Sequence, residues 1–244
     1  MRFYTSDLHI FHTNILGYCD RPFKDVDQMW KTIRKNWNNT VKQEDEVYVV
    51  GDLTLKTESH LKLLTKMIHE LNGLKHMIVA PTHDLFLPRQ YEEMGFATVH
   101  YPGIRLDNDW FVAHDPAVAT ALPKDSVLIC GHVHNLMTSQ LSRTGVLMIN
   151  VGVDVRNFTP ISEKQILEII SHGEVEITNS GASQEESTAE HMQNACGCTG
   201  LQQGRCMCDG KNKSPRQGRE TNEEGWRAAR RASINGGSLP EGNS

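Results

Sequence analysis

Histidine and aspartate recur in this chain in short groups: Ser6-Asp7-Leu8-His9, Gly51-Asp52, Thr82-His83-Asp84, His114-Asp115 and Gly131-His132-Val133-His134. Carboxylate oxygen and neutral imidazole are the ligand set of first-row divalent cations. Taken singly, each group is weak evidence. A lone histidine after a strand is usually a surface or hydrogen-bonded residue, and an isolated Asp-x-His commonly caps a turn. In His132-x-His134, however, alternate residues of an extended chain point the same way and can share one ion. The joint occurrence of all five groups points to divalent-metal chemistry.

Each group follows a run that reads as a strand. Residues 2–5, 46–50, 77–80, 98–100, 110–113, 127–130 and 146–151 are rich in branched aliphatics or aromatics. Five strands thus end in metal-ligand residue types, and the carboxyl edge of an α/β sheet is where loops from several strands meet. Between the first two strands, Met29, Trp30, Ile33, Trp37 and Val41 step by three and four, with Asp25 or Asp27 placed to cap an amphipathic helix. A second helix over 58–71 carries Leu61, Leu64, Met67, Ile68 and Leu71 and ends at Asn72-Gly73. Residues 87–94 read as a third. Asp107-Asn108-Asp109 marks a hairpin turn between 104–106 and 110–113. Residues 165–170 and 175–177 are expected as closing strands. Mixed βα and ββ units that bury both sheet faces predict two packed sheets with helices outside.

The composition bounds the partners. The chain has 244 residues, 38% hydrophobic and 23% charged, with a formal net charge of −5, as ordinary globular proteins have. No apolar run reaches the roughly 18–20 residues of a membrane helix, and the first residues lack a signal-peptide layout, so a cytoplasmic chain without a membrane partner is expected. Nucleic acid is not indicated: aromatic content is 7% and the charge is acidic. The last 64 residues, 181–244, hold three Val/Ile/Leu/Phe side chains but 10 of the 19 glycines. Such a segment buries too little apolar surface to offset its ordering entropy. Two regions follow: a working domain over 1–176 and a glycine-rich, disordered tail over 177–244. In that tail, Cys196-x-Cys198 and Cys206-x-Cys208 could hold zinc or remain free thiols; one intervening residue is tighter than the usual zinc spacing. Residues 226–233, WRAARRAS, form a short basic helical candidate expected to be solvated.

Read in order, the groups resemble the blocks of the calcineurin-like metallophosphoesterases: D-x-H, G-D, G-N-H-[DE], a lone H, then G-H-x-H. The resemblance spans nearly all of residues 1–180. The opening SDLHIFHTNILGYCDRPF and the closing NVGVDV are similar to a small bacterial and bacteriophage-borne subgroup; for a bacteriophage-borne member, cytoplasmic means the host cytoplasm. This resemblance implies a four-layer α/β/β/α fold and a two-cation site. Asp7, His9 and His134 would hold the first ion, His114 and His132 the second, and Asp52 would bridge them. His83 would protonate the leaving oxygen, with Asp84 behind it fixing its tautomer. Manganese is the expected ion; iron, zinc and nickel also occur in the family. The implied reaction is hydrolysis of a phosphate ester by a hydroxide shared between the ions. A phosphodiester is the first choice of substrate, either a cyclic nucleotide or a short nucleic-acid end, with monoesters next.

One block departs from the family. Pro81-Thr82 replaces Gly-Asn, and the Thr82 hydroxyl is a poorer ligand than an Asn carbonyl on an arm one bond shorter. Three outcomes follow: a water bridges Thr82 to the second ion, the site runs on one ion, or the chain is a catalytically impaired metal-binding or interaction protein. The first is the reading adopted. His12, Asn14 and Arg21 follow the first strand. Arg21, held extended by Pro22, is expected either to clamp a phosphate oxygen or to fix the loop by a salt bridge. Asn150 and Asp154 are candidates to support the His132 loop, or are turn residues. Trp30 and Trp37 are expected in the core, and His60, His69, His76, His100 and His172 at surface or structural positions.

Overall fold

The computed structural model describes residues 1–55, 60–80 and 83–172, with the backbone of 201–202 and 205–206. β1 (Arg2–Thr5), β2 (Glu46–Val50), β3 (Leu74–Ile78) and β4 (Phe96–His100) run parallel in one sheet. β10 (Ile161–Ser162) pairs antiparallel at its edge, giving the order β10-β1-β2-β3-β4. A second sheet has the order β5-β6-β7-β9-β8, from β5 (Gly103–Arg105), β6 (Phe111–Ala113), β7 (Val127–Cys130), β9 (Leu147–Asn150) and β8 (Ser139–Leu141). Its three inner strands are parallel and the outer two antiparallel. The helices are α1 (Ile15–Tyr18), α2 (Val26–Thr40), α3 (Leu61–His69), α4 (Pro88–Glu93) and α5 (Glu163–His172). The fold is mixed α/β.

Period-two alternation sends β1, β2 and β3 of the first sheet into two cores. Phe3, Val47, Val49 and Met77 join Met29, Ile33 and Trp37 of α2 and Leu64 and Ile68 of α3 in one cluster. Tyr4, Tyr48, Val50 and Ile78 point the other way and share a second cluster with Val112, Ile129 and Ile149 of the second sheet. Leu128 and Cys130 turn from that cluster into a third, with Ala119 and Val146. Strands buried on both faces read as continuous apolar runs, as EVYVV and VLIC do. The Asp25 carboxylate accepts from the Gln28 amide at 2.7 Å and starts α2. Trp37 is fully buried and its indole N–H donates to the Asn72 carbonyl at 3.0 Å.

One element differs from expectation: residues 165–170 lie within α5, not in a strand. Ile166, Ile169 and Ile170 fall at i, i+3 and i+4, one helical face, and pack on the second cluster. Ser162 and Gln165 form a reciprocal cap that commits the chain to a helix: Gln165 Oε1 accepts from the Ser162 amide at 3.0 Å, and Ser162 Oγ from the Gln165 amide at 3.3 Å. The expected strand at 175–177, residues 58–59 of the second predicted helix, the basic stretch 226–233 and Cys196, Cys198 and Cys208 lie outside the described residues. Of Cys206 only the backbone is described, in a two-residue pairing of 201–202 with 205–206. His76 and His100 are structural: Thr98 Oγ1 lies 2.8 Å from a ring nitrogen of each. Among the described residues no helix is long and apolar enough to cross a membrane.

Candidate metal centre

Five parallel strands send their carboxyl ends towards the same region. Asp7 and His9 follow β1, Asp52 follows β2, His83 and Asp84 follow β3, His114 follows β6, and His132 and His134 follow β7. The backbone there is unusual. Asp7, His9, Asp52, His132 and His134 all have positive φ, between 47° and 72°. Left-handed backbone is uncommon for residues with a Cβ and costs of order 1–3 kcal/mol each, so a cluster of five makes this region the candidate site. Glycine allows the close approach. A Cβ on Gly131 would lie 2.6 Å from Asp7 Oδ2, and one on Gly152 would lie 2.9 Å from it.

Two adjacent groups result. The ligand atoms of Asp7, His9 and His134 lie within 4.8 Å of one another, as do those of Asp52, His114 and His132. Asp52 joins them: its Oδ2 is 3.4 Å from His9 Nε2 and 3.4 Å from His114 Nε2. His83 closes the ring, with Nδ1 3.2 Å from the same oxygen. The structure therefore brings Asp7, His9, Asp52, His83, His114, His132 and His134 together.

The donor set fits divalent cations on its own chemistry. His9 Nε2 is buried and finds no hydrogen-bond partner among the described residues, although carboxylate oxygens of Asp52 and Asp7 lie 3.4 and 4.0 Å away. A neutral imidazole lone pair facing two carboxylates is repulsive unless a cation or proton stands between them. Burial keeps His9 neutral, with its pKa pushed down to about 4. Burial also lowers His132, helped by the charge of His114. His114 is the reverse: burial opposes its charge, but Asp52 holds the pKa up at about 10. Burial likewise opposes the charge on His134, which Asp7 and Asp154 raise. Burial disfavours ionised Asp52 too, yet His114 and His83 hold its carboxyl well below the usual range. Mixed carboxylate and imidazole donors are ligand types of first-row divalent cations.

A second layer aims these rings. The Val50 carbonyl accepts from His114 Nδ1 at 2.8 Å, which leaves Nε2 facing Asp52. His132 turns its Nδ1 inward, 3.2 Å from His114 Nε2. His9 Nδ1 meets His12 Nδ1 at 3.2 Å, and burial, followed by the charge of His9, lowers His12 to about 3. The Asp154 carboxylate accepts from His134 Nδ1 at 2.8 Å. Asn150 donates to the carbonyls of His134 and Met137 at 2.7 Å, fixing the loop that carries both β7 histidines. Cys19 also lies in a group with His134 and Asp154.

Of the two readings of Arg21 the structure carries the salt bridge and not the phosphate clamp: it is buried in a bidentate pair with Asp154, at 2.7 and 2.8 Å. One expected role changes. Asp84 does not sit behind His83. Its carboxylate accepts from the backbone amides of Asp52, Leu53 and Ala80 at 2.8–3.0 Å, which pins the β2 and β3 ends together. Burial and nearby Asp52 push its pKa up, and the amide donors act against that. Thr82 and Pro81 lie outside the described residues, and Asn14 is the exposed N-cap of α1. Sequence reasoning missed the contact of His12 with His9, although His12 stands three residues on in the same loop.

No family model matches the chain. The chain is 34% identical over 172 residues to the uncharacterized protein MJ1445 of Methanocaldococcus jannaschii, covering 70% of this chain and 91% of that protein. Among solved structures, that of the protein of unknown function AQ665 from Aquifex aeolicus is similar with a TM-score of 0.53 at 22% identity, covering 69% of this chain and 98% of that one. The second likeness concerns the fold alone.

Proposed function

This chain belongs to the family of the uncharacterized protein MJ1445, and from its site we propose that it is a metal-dependent phosphoesterase acting foremost on phosphodiesters. On this reading it is a calcineurin-like metallophosphoesterase of the small bacterial and bacteriophage-borne kind. Its two sheets, sharing one apolar cluster, would form the centre of a four-layer α/β/β/α sandwich. A cytoplasmic setting and a small phosphate ester or nucleotide as substrate belong to the same reading.

The observation that carries it is the pair of ligand groups meeting at Asp52. Asp7, His9 and His134 would hold one divalent cation and His114 and His132 the other, with Asp52 between them. When bound, such a pair supplies neutralisation of phosphoryl oxygens and water of lowered pKa. His83 stands at the rim of this pair with a partly exposed side chain, placed to give a proton to the departing oxygen. Asp84, by holding the amides of Asp52 and Leu53, keeps the shared carboxylate in register with both groups.

The test is hydrolysis of a bis-aryl and a mono-aryl phosphate by the Mn2+-loaded chain, with the chelator-treated chain and Asp52→Asn as controls. Metal-dependent turnover, faster on the diester and lost in Asp52→Asn, is expected. Turnover indifferent to chelation or to Asp52→Asn would overturn the proposal.

A further inference from the structure

A single guanidinium reaches both halves of the first ligand group. Arg21 follows β1, and its side chain is fully buried. Its Nε donates to Asp154 Oδ1 at 2.7 Å, and Nη2 donates both to Asp154 Oδ2 at 2.8 Å and to the Asp7 carbonyl at 2.7 Å. Nη1 faces the Leu8 carbonyl at 3.4 Å and Met29 Sδ at 3.2 Å. A guanidinium has five N–H groups, and these five contacts engage all of them. None is left for a substrate oxygen.

The far end of the pair is as specific. Asp154 Oδ2 accepts from His134 Nδ1 at 2.8 Å. An ionised carboxylate only accepts, so Nδ1 carries the proton and Nε2, 3.9 Å from Asp7 Oδ1, faces the ligand group. Asp7 follows a strand of one sheet and His134 a strand of the other. The chain Asp7 carbonyl, Arg21, Asp154, His134 therefore ties the two sheets together at the point where the first cation would be held. Neither charge of the buried pair is stable without its partner.

We propose that Arg21 and Asp154 are positioning residues that preset Asp7 and His134 for a divalent cation, and that Arg21 takes no part in holding substrate. The inference rests on the reading above that Asp7, His9 and His134 hold such an ion. Outer partners of ligating imidazoles typically matter about 10- to 100-fold in metal affinity.

The test is titration of the full chain with Mn2+, comparing wild type with Asp154→Ala, Arg21→Met and the double variant. One of two bound ions should weaken by about 10- to 100-fold in each single variant while the other is unchanged. The double variant should be no worse than Asp154→Ala alone, because the two residues act in series. With both ions saturated, inorganic phosphate should bind Arg21→Met as it binds wild type. Wild-type Mn2+ affinity in Asp154→Ala, or phosphate binding lost in Mn2+-saturated Arg21→Met, would overturn the assignment. Should Arg21→Met fail to fold, Arg21→Lys and Asp154→Asn carry the same comparison. A wild type that binds two ions yet hydrolyses nothing ends the phosphoesterase reading and leaves this assignment standing. A wild type that binds no Mn2+ overturns both.

Discussion

His83 is more open than the buried rings of His9 and His114 beside it. Its side chain keeps 17% exposure, whereas those of His9, Asp52 and His114 keep 2–3%. A proton donor must meet the substrate, and the His83 ring is open to it. His83→Ala should therefore cut turnover of an alkyl phosphodiester about 100-fold or more, and that of an activated bis-aryl ester far less, since a good leaving group departs without a proton. Equal losses on the two esters would remove His83 from that role. Gly131 tests the ligand side. A methyl there meets Ser6 Oγ and lies 2.6 Å from Asp7 Oδ2, so Gly131→Ala must displace the Asp7 carboxylate. Titration should show one Mn2+ bound about tenfold or more weakly, with the circular dichroism of wild type. Undiminished affinity would mean that Asp7 is not a ligand. His12 meets the first ligand group through the His9 ring nitrogen: His12→Phe should weaken one bound ion without changing phosphate affinity at saturation, and a change in phosphate affinity alone would place His12 on the substrate side.

At the scale of elements, the strand ends were legible because residue type and position carried the same message. Runs of branched aliphatics or aromatics announced β1, β2, β6 and β7, and the His and Asp groups followed each of them. What the sequence hid was which atoms meet across the sheets. Arg21 and Asp154 stand 133 residues apart, so their pairing had no local signature. Asp84 adjoins His83 in sequence, yet the chain turns it to the backbone amides of Asp52 and Leu53. β8 and β10, three and two residues long, exist only through their partners β9 and β1. In α5 the helical signal was present, in Ile166, Ile169, Ile170 and the Ser162–Gln165 cap, but a run of isoleucines also reads as a strand. That cap is measurable. Ser162→Ala should lower stability by about 1 kcal/mol in urea denaturation, and Gln165→Ala should add little to it, because each alone breaks the reciprocal pair. Additive losses would mean that the two side chains act separately.

At the scale of the molecule, the ligands come from both sheets, from Asp7 after β1 to His134 after β7. An ion held by such a set binds the folded chain and not the unfolded one, so it stabilises the whole fold. At a concentration 100 times its dissociation constant, Mn2+ should add about 2.7 kcal/mol per site, seen as a rise in thermal midpoint that chelation reverses. Every proposed ligand and positioning residue falls between residues 7 and 154. The most direct measurement counts bound Mn2+ and bis-aryl phosphate turnover on the same samples as metal is added. Turnover should climb until the second ion per chain is bound and should be absent in Asp52→Asn. Two bound ions with no hydrolysis of diester or monoester would contradict the proposed activity.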